Sequence, residues 1–473
     1  MKKTNVTVLI IILIISVFSA NAQLKVASIL GNNMVLQRNS EVKIWGKAEP
    51  KMSLKITVSW SKTAITAVTN EKGDWMAKVK TSEAGGPYTI SIEAKKEKIQ
   101  LDNILLGEVW LCSGQSNMEM PILGFPYQPI NGSAEALLQA DNQNLRLFTV
   151  KKAPMPTPQD SCSGNWEVAN AESVGKFSAV GYYYARLLQQ KLKIPVGIIC
   201  SSVGGTPIEA WMDSKTLANF PEPLKQTSQA EKEQNRASYL YNGMINPIVN
   251  YTIKGAIWYQ GESNRKNYQY YAGLLKAMVG SWRTDFGVGD FPFYYVQIAP
   301  YAAGDIKDPL SAFMRDEQLK AMLMIPNSGM VCTLDLGNEI WIHPAEKETI
   351  AKRLAGWSLS ETYGFKGLQY KSPTFKNFEV KDSVVTISFD DAKLGVTSFD
   401  KNVDCFEVAG EDKIFYTAKM IKMSNDFRKI QVVSDKVKVP VAIRYAFSNF
   451  PVTEGYLYST SGLPVPSFRT DNW

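Results

Sequence analysis

The rhythm of hydrophobic and polar positions changes twice along the chain. Between Leu24 and Asp102 apolar residues alternate with polar ones: Leu54, Ile56, Val58 and Trp60 are interleaved with Lys55, Thr57 and Ser59, and Tyr88-Thr89-Ile90-Ser91-Ile92 repeats the pattern after the turn Gly85-Gly86-Pro87. Successive strand side chains point to opposite faces, so this period predicts short half-buried strands and a small sandwich. From Ile104 to about Thr362 the strand candidates read apolar at every position, at Val109–Cys112, Val196–Cys200, Gly255–Tyr259, Phe293–Ile298 and Met330–Leu334. A strand apolar on both sides is covered on both sides, as in parallel sheets. Segments with helical spacing fit between them, at Gly181–Lys191, Tyr268–Trp282, Ser311–Met324 and Glu346–Thr362. That alternation predicts an α/β fold, a parallel sheet flanked by helices. From Gly364 the period of two returns, at Val384–Phe389 and Val439–Tyr445. The pattern thus divides the chain into a β-rich N-terminal domain (23–102), an α/β domain (103–363) and a β-rich C-terminal region (364–473). Whether the last strands form their own sandwich or complete the first is open at this level.

The first residues follow another pattern. Lys2 and Lys3 precede an apolar run from Val8 to Phe18, and Ala20-Asn21-Ala22 follows before Gln23. This is the layout of a secretory signal peptide, residues 1–22, with cleavage after Ala22. The run is short for a membrane span and no later stretch is long enough for one, so an exported protein without a membrane association is expected, periplasmic or extracellular. Gln23 rather than cysteine after the cut argues against a lipid anchor. Losing Lys2 and Lys3 takes the formal charge from +7 to +5, small for 473 residues. Lys and Arg are spread among Asp and Glu without the basic, aromatic-studded stripe of a nucleic-acid surface, so no nucleic-acid partner is expected. Five cysteines, Cys112, Cys162, Cys200, Cys332 and Cys405, lack metal-ligand spacing. Cys112, Cys200 and Cys332 lie in apolar strand runs and read as small buried hydrophobes. A Cys162–Cys405 disulfide has no support in the sequence, and no metal site or cofactor is expected.

Candidate chemistry gathers after the apolar strands. Val109–Cys112 runs into the polar turn Ser113-Gly114-Gln115-Ser116-Asn117, and open α/β sheets bind ligands at the carboxyl ends of their strands. An ordinary turn would use the same residue types. The chain holds one histidine, His343. A serine hydroxyl needs a neighbouring base, most often an imidazole, so a Ser116-based hydrolase would have to use it. His343 stands in a loop after Met330–Leu334, with Pro344 suited to the first turn of the helix that follows. A base with an ordinary pKa near 6.5 predicts activity rising through the histidine range.

Four ordered segments resemble a known family: Ser113-Gly114-Gln115-Ser116-Asn117-Met118, Gly204-Gly205-Thr206-Pro207-Ile208-Glu209-Ala210-Trp211, Trp258-Tyr259-Gln260-Gly261-Glu262-Ser263-Asn264 and Ile342-His343-Pro344. They are similar to the carbohydrate O-acetylesterases of the sialate O-acetylesterase group, within the SGNH hydrolase superfamily. The chain departs from the broader superfamily at Gln115, where aspartate is usual, and at Gln260, where many members have asparagine. The resemblance implies an SGNH-like catalytic sheet with N-terminal and C-terminal sandwich-like parts, Asn33–Arg38 being a recurrent opening of the first. It implies an acetylated carbohydrate as substrate and an acyl-enzyme on Ser116, with sialic acid as the sugar and acetylated xylan as the alternative. A non-catalytic glycan-binding protein on the same scaffold is the competing class, disfavoured because Ser116 and His343 are both present.

An attacked ester carbonyl develops negative charge, so pre-aimed donors are needed, and Ser116 N–H, Gly205 N–H and the Gln260 amide are the candidates. Glu262 is expected to orient Gln260 or bind a sugar hydroxyl, with Asn264 beside it as a substrate contact. The superfamily commonly carries an aspartate two or three residues before the histidine, where this chain has Ile340 and Trp341. Glu339, then Asp335, then a backbone carbonyl of 339–341 are the expected orienters of His343. Trp110, Trp211, Trp258, Tyr259 and Trp341 suit sugar stacking and core packing alike, and most are assigned to the core. The insert from Phe125 to Val174 and the polar stretch from Lys215 to Ala237 are expected to rim the crevice.

Overall fold

The computed structural model describes residues 23–221, 224, 231–421 and 426–473. The expected signal peptide and part of the Lys215–Ala237 stretch lie outside the described residues. The architecture is a mixed α/β fold with one large mixed sheet and further sandwich-like sheets. At the centre, strands β1 (Glu97–Gly114), β2 (Asn142–Thr149), β3 (Trp166–Ala169), β4 (Val196–Ser202), β5 (Gly255–Tyr259), β6 (Phe293–Val296) and β7 (Ser328–Val331) pair in the order β3-β2-β4-β1-β5-β6-β7. All pairings are parallel except β3 with β2.

The reason for the unbroken apolar runs is visible in where each side chain goes. Val109 and Leu111 join a core with Trp258, Phe293 and Tyr295 on one face. Trp110 and Cys112 join Ile257, Tyr259 and Tyr294 on the other. Helices α2 (Tyr271–Phe286) and α3 (Leu310–Met324) supply Leu275, Met278 and Met314 to the first core. Helices α1 (Ala179–Leu192) and α4 (Lys347–Trp357) supply Leu188 and Leu354 to the second. Trp110, Trp211, Trp258 and Tyr259 are all buried. Strands β2 and β3 lie inside the insert that the sequence pattern assigned to the crevice rim.

The sandwich-like part at the front is not separate from this sheet. Strand β1 is 18 residues long. Its first half pairs antiparallel with Gly85–Ala94 and parallel with Val35–Gln37, and its second half pairs with β4 and β5. The expected division at residues 102 and 103 therefore falls inside one strand. The front core, with Val42, Ile44 and Ile56, is continuous with one face of the central sheet. The C-terminal strands pair among themselves in a seven-stranded sheet from Thr374–Lys381 to Phe468–Arg469. Their core takes in Cys332 and Leu334, just beyond β7. All five cysteines are free.

Two contacts fix the parts that matter for the site. Gly114, the last residue of β1, has φ +139°, and a Cβ there would lie 2.1 Å from the Tyr259 carbonyl oxygen of β5. Only glycine lets the two strand ends come this close. Arg315 of α3 is fully buried and donates to Ser467 Oγ at 3.0 Å, Ala446 O at 3.2 Å and Ser448 O at 2.6 Å. It ties α3 to the C-terminal region. Burial pulls its pKa down to about 10, with no carboxylate partner to offset it. Arg315→Met would take the donor from three acceptors, two of them buried. A loss of roughly 3 kcal/mol is expected, read as a lower midpoint in urea unfolding.

Candidate active site

Beyond Gly114 the chain turns at Gln115 and enters a single helical turn, Ser116–Glu119. Gln115 is held there by its backbone N–H, which donates to Tyr259 O at 3.0 Å. Its side-chain Oε1 accepts from Gly261 N–H and Ser263 N–H at 3.3 and 3.4 Å, so the turn that carries Ser116 is stitched to the loop after β5. Ser116 is half-buried, and its Oγ makes no hydrogen bond among the described residues. Its N–H lies in a first helical turn, where no intrahelical acceptor exists.

The turn after β4 lies against the serine. Gly204 N–H donates to Glu119 Oε2 at 2.6 Å, which ties this turn to the one that carries Ser116. Burial raises the Glu119 pKa against the opposing pull of that N–H and of Lys152. Gly205 is exposed at φ +71° with open space around it, and among the described residues its N–H meets no acceptor. Gly205 and Ser116 thus both keep free donors among the described residues, in two turns that meet where Gly204 lies against Ser116. Gln260 does not. Its Nε2 donates to Thr206 O at 3.1 Å and Asn264 Oδ1 at 2.7 Å, which uses both amide hydrogens. Its Oε1 accepts from Tyr271 OH at 2.8 Å. The amide expected to complete an oxyanion hole is a buried strut. Asn264 is buried as well, donating to Glu209 Oε2 at 2.8 Å and accepting from Ile208 N–H at 2.9 Å, which holds the loops after β4 and β5 together.

His343 stands in the loop before α4, half-buried under Phe125, whose ring meets the imidazole edge-on at 5.3 Å. Its Nδ1 lies 2.6 Å from Gln128 Oε1. A carbonyl-type oxygen only accepts, so the proton is on Nδ1 and Nε2 keeps its lone pair. None of the expected orienters holds this position. Asp335 is spent on Arg353, in a two-pronged pair at 2.8 and 2.6 Å. Glu339 is exposed and its carbonyl takes the Ala302 N–H at 3.2 Å, and among the described residues the hydrogen bond to the ring comes from Gln128 alone. Gln128 comes from the insert, in a tight turn closed by reciprocal backbone bonds between Phe125 and Gln128. Burial, reinforced by the nearby Lys347 charge, pulls the His343 pKa down to about 4.

Beneath the histidine lies a cluster that the sequence pattern did not assemble. Lys347, at the start of α4, is fully buried and donates to Asn117 Oδ1. Burial lowers its pKa to about 7, with Glu262 pulling the other way. Asn117 Nδ2 donates to Glu262 Oε1 at 2.6 Å and to Ile342 O at 3.1 Å. The Glu262 carboxylate is raised by burial and its Oε2 is buried without a partner. Glu262 therefore faces Asn117 rather than Gln260 or a sugar. Trp341 is exposed beside the histidine, apart from the buried tryptophans.

A family model described as carbohydrate esterase, sialic acid-specific acetylesterase, matches residues 106–359, more than half of the chain. The chain belongs to that family. It is a carboxylic ester hydrolase. A sialate O-acetylesterase from Homo sapiens is 30% identical over 95% of this chain and 93% of its own length. The Pongo abelii sialate O-acetylesterase matches with the same figures. A carbohydrate acetylesterase from Xanthomonas citri, known from its crystal structure, superposes with a TM-score of 0.86 at 32% identity, covering 95% of this chain and 100% of that one.

With one imidazole in the chain, its titration can be followed by NMR without assignment. A pKa of about 4 is expected, against an ordinary value near 6.5. Between those values the unfolded chain binds a proton that the folded one refuses. Stability should therefore fall as pH drops from about 6.5 to about 4. Gln128→Glu would put a carboxylate against Nδ1, favour the imidazolium and move the titration upward. An unmoved titration would mean that Gln128 does not face the ring.

Proposed function

We propose that this chain is an exported serine esterase that removes O-acetyl groups from sialic acid through an acyl-enzyme, on an SGNH-like arrangement of the central sheet. The observation that carries the reading is the bond from Asn117 Nδ2 to Ile342 O at 3.1 Å. It joins the residue after the serine to the residue before the chain's single histidine. The strand order supports the arrangement: the chain leaves β1 toward β2 on its β4 side, whereas it leaves β4 toward β5 on the other side of β1, and such a reversal opens a crevice at the carboxyl ends of the two strands. Export is supported by the signal-like pattern of residues 1–22.

In this reading Ser116 Oγ bonds to the acetyl carbonyl carbon while its proton passes to His343 Nε2, the nitrogen that the Gln128 contact leaves free. The carbonyl oxygen takes the negative charge and faces Ser116 N–H and Gly205 N–H. The intermediate collapses by breaking the bond to the sugar oxygen, which takes the proton from Nε2. Water then attacks the acetyl-serine, gives a proton to Nε2, and acetate leaves with Ser116 Oγ re-protonated. The orienting group is a neutral amide, and the nearest cation opposes the imidazolium. The Lys347 pKa near 7 moderates this, since the ammonium is partly discharged at neutral pH.

The sugar is proposed from the named relatives, with an acetylated plant polysaccharide such as xylan as the second reading because the Xanthomonas citri protein is described only as a carbohydrate acetylesterase. Acetate release from O-acetylated sialic acid and from acetylated xylan by the mature chain separates the two. Turnover of xylan alone would replace the first. Ser116→Ala should abolish acetate release with the fold intact, and an unchanged rate would end the serine mechanism. kcat/KM should rise through about pH 4 as His343 loses its proton. A profile with a single limb near 6.5 would contradict the site as described.

A further inference from the structure

Asn117 directly follows the serine, and Ile342 directly precedes the histidine. Their neighbours in space make this more than a loop contact. The Asn117 side chain is buried, with Lys347 Nζ at its oxygen end and Glu262 Oε1 at its nitrogen end. The amide dipole lies between a cation and an anion, with the positive end toward the carboxylate and the negative end toward the ammonium. A flipped amide would turn Oδ1 toward two acceptors, Glu262 Oε1 and Ile342 O, and Nδ2 toward an ammonium that can only donate. The two charges therefore allow one orientation, and in that orientation the second Nδ2 hydrogen goes to Ile342 O.

Burying a lysine and a glutamate is costly, and the cost is not recovered by pairing them directly, since each meets the asparagine instead. Glu262 keeps a second buried oxygen without a partner. A site built only for stability would satisfy these groups or replace them with apolar ones. Lys347 also lies over the Tyr259 ring, 5.4 Å from its centroid, which locates the cation against the end of β5.

We propose that Asn117 is a positioning residue, clamped by Lys347 and Glu262, that holds the Ile342 carbonyl and so presents His343 to Ser116. This rests on the reading of Ser116 and His343 as the reacting pair. It assigns to Glu262 a place beneath the pair instead of a contact with sugar, and to Lys347 the role of setting which way the amide faces.

Asn117→Asp keeps the size and the Lys347 contact but can donate to neither Ile342 O nor Glu262. Asn117→Ala removes every contact without adding charge. Both are assayed on a small activated acetate ester, 4-nitrophenyl acetate, so that sugar binding plays no part. The expected result is kcat lower by roughly tenfold or more with KM within about twofold, the signature of an interaction that acts on the reacting groups. A cooperative thermal melt should be kept in at least one variant. Unchanged kcat in a folded variant would overturn the proposal, and so would loss of the cooperative melt in both, which would make the asparagine a purely structural residue. Ser116→Ala is run alongside. Activity surviving there would bring down the serine–histidine reading itself, whereas its loss together with unaffected Asn117 variants would bring down only the clamp.

Discussion

The close approach of β1 and β5 is the constraint on which the rest of the site depends. Gly114 lets the Tyr259 carbonyl come within a distance no side chain would allow, and that carbonyl then takes the Gln115 N–H. From there the geometry propagates: Gln115 grips the loop after β5, that loop carries Glu262, and Glu262 meets Asn117. The serine turn is thus set by contacts on its β5 side and, through Glu119 and Gly204, on its β4 side. Packing of the central sheet and placement of Ser116 are one problem with one solution.

The same close packing explains the electrostatics. Lys347 and Glu262 meet the two ends of one buried amide, with His343 half-buried close by, and desolvation is the first cause of each shifted pKa. A histidine oriented by a neutral glutamine and opposed by a cation is a weaker base than one backed by a carboxylate.

Much of this was legible in the chain. Strands apolar at every position announced a sheet covered on both faces, and β5 matches the sequence-predicted span residue for residue. The helices began and ended within a few residues of expectation because their apolar spacing is regular. β2 and β3 escaped because they lie in an insert rich in Pro, Asn and Gly and are partly polar themselves. The orienting residue escaped for a different reason. A carboxylate near the histidine in sequence was the natural expectation, yet Asp335 is drawn off by Arg353, and the group that reaches Nδ1 lies 215 positions away in Gln128. No local pattern encodes such a contact. Lys347 did leave a trace: a cation in the first turn of a helix is unfavourable, and its presence there asks for a reason beyond helix formation.

Strand β1 also bears on how such a molecule can change over time. It begins as a member of the front sheet and ends at the serine, so no peptide linker separates the two regions where a recombination event could cut cleanly. Domains exchanged between genes usually join through exposed segments crossed by few contacts. Here the front module cannot be traded as a cassette without rebuilding the strand that leads into Ser116. The C-terminal sheet, with its own pairing and its own core, carries no such restriction in its strands. Diversity in this architecture is therefore expected to accumulate behind the catalytic sheet and in the insert that bears Gln128, while the front stays in fixed register with the serine.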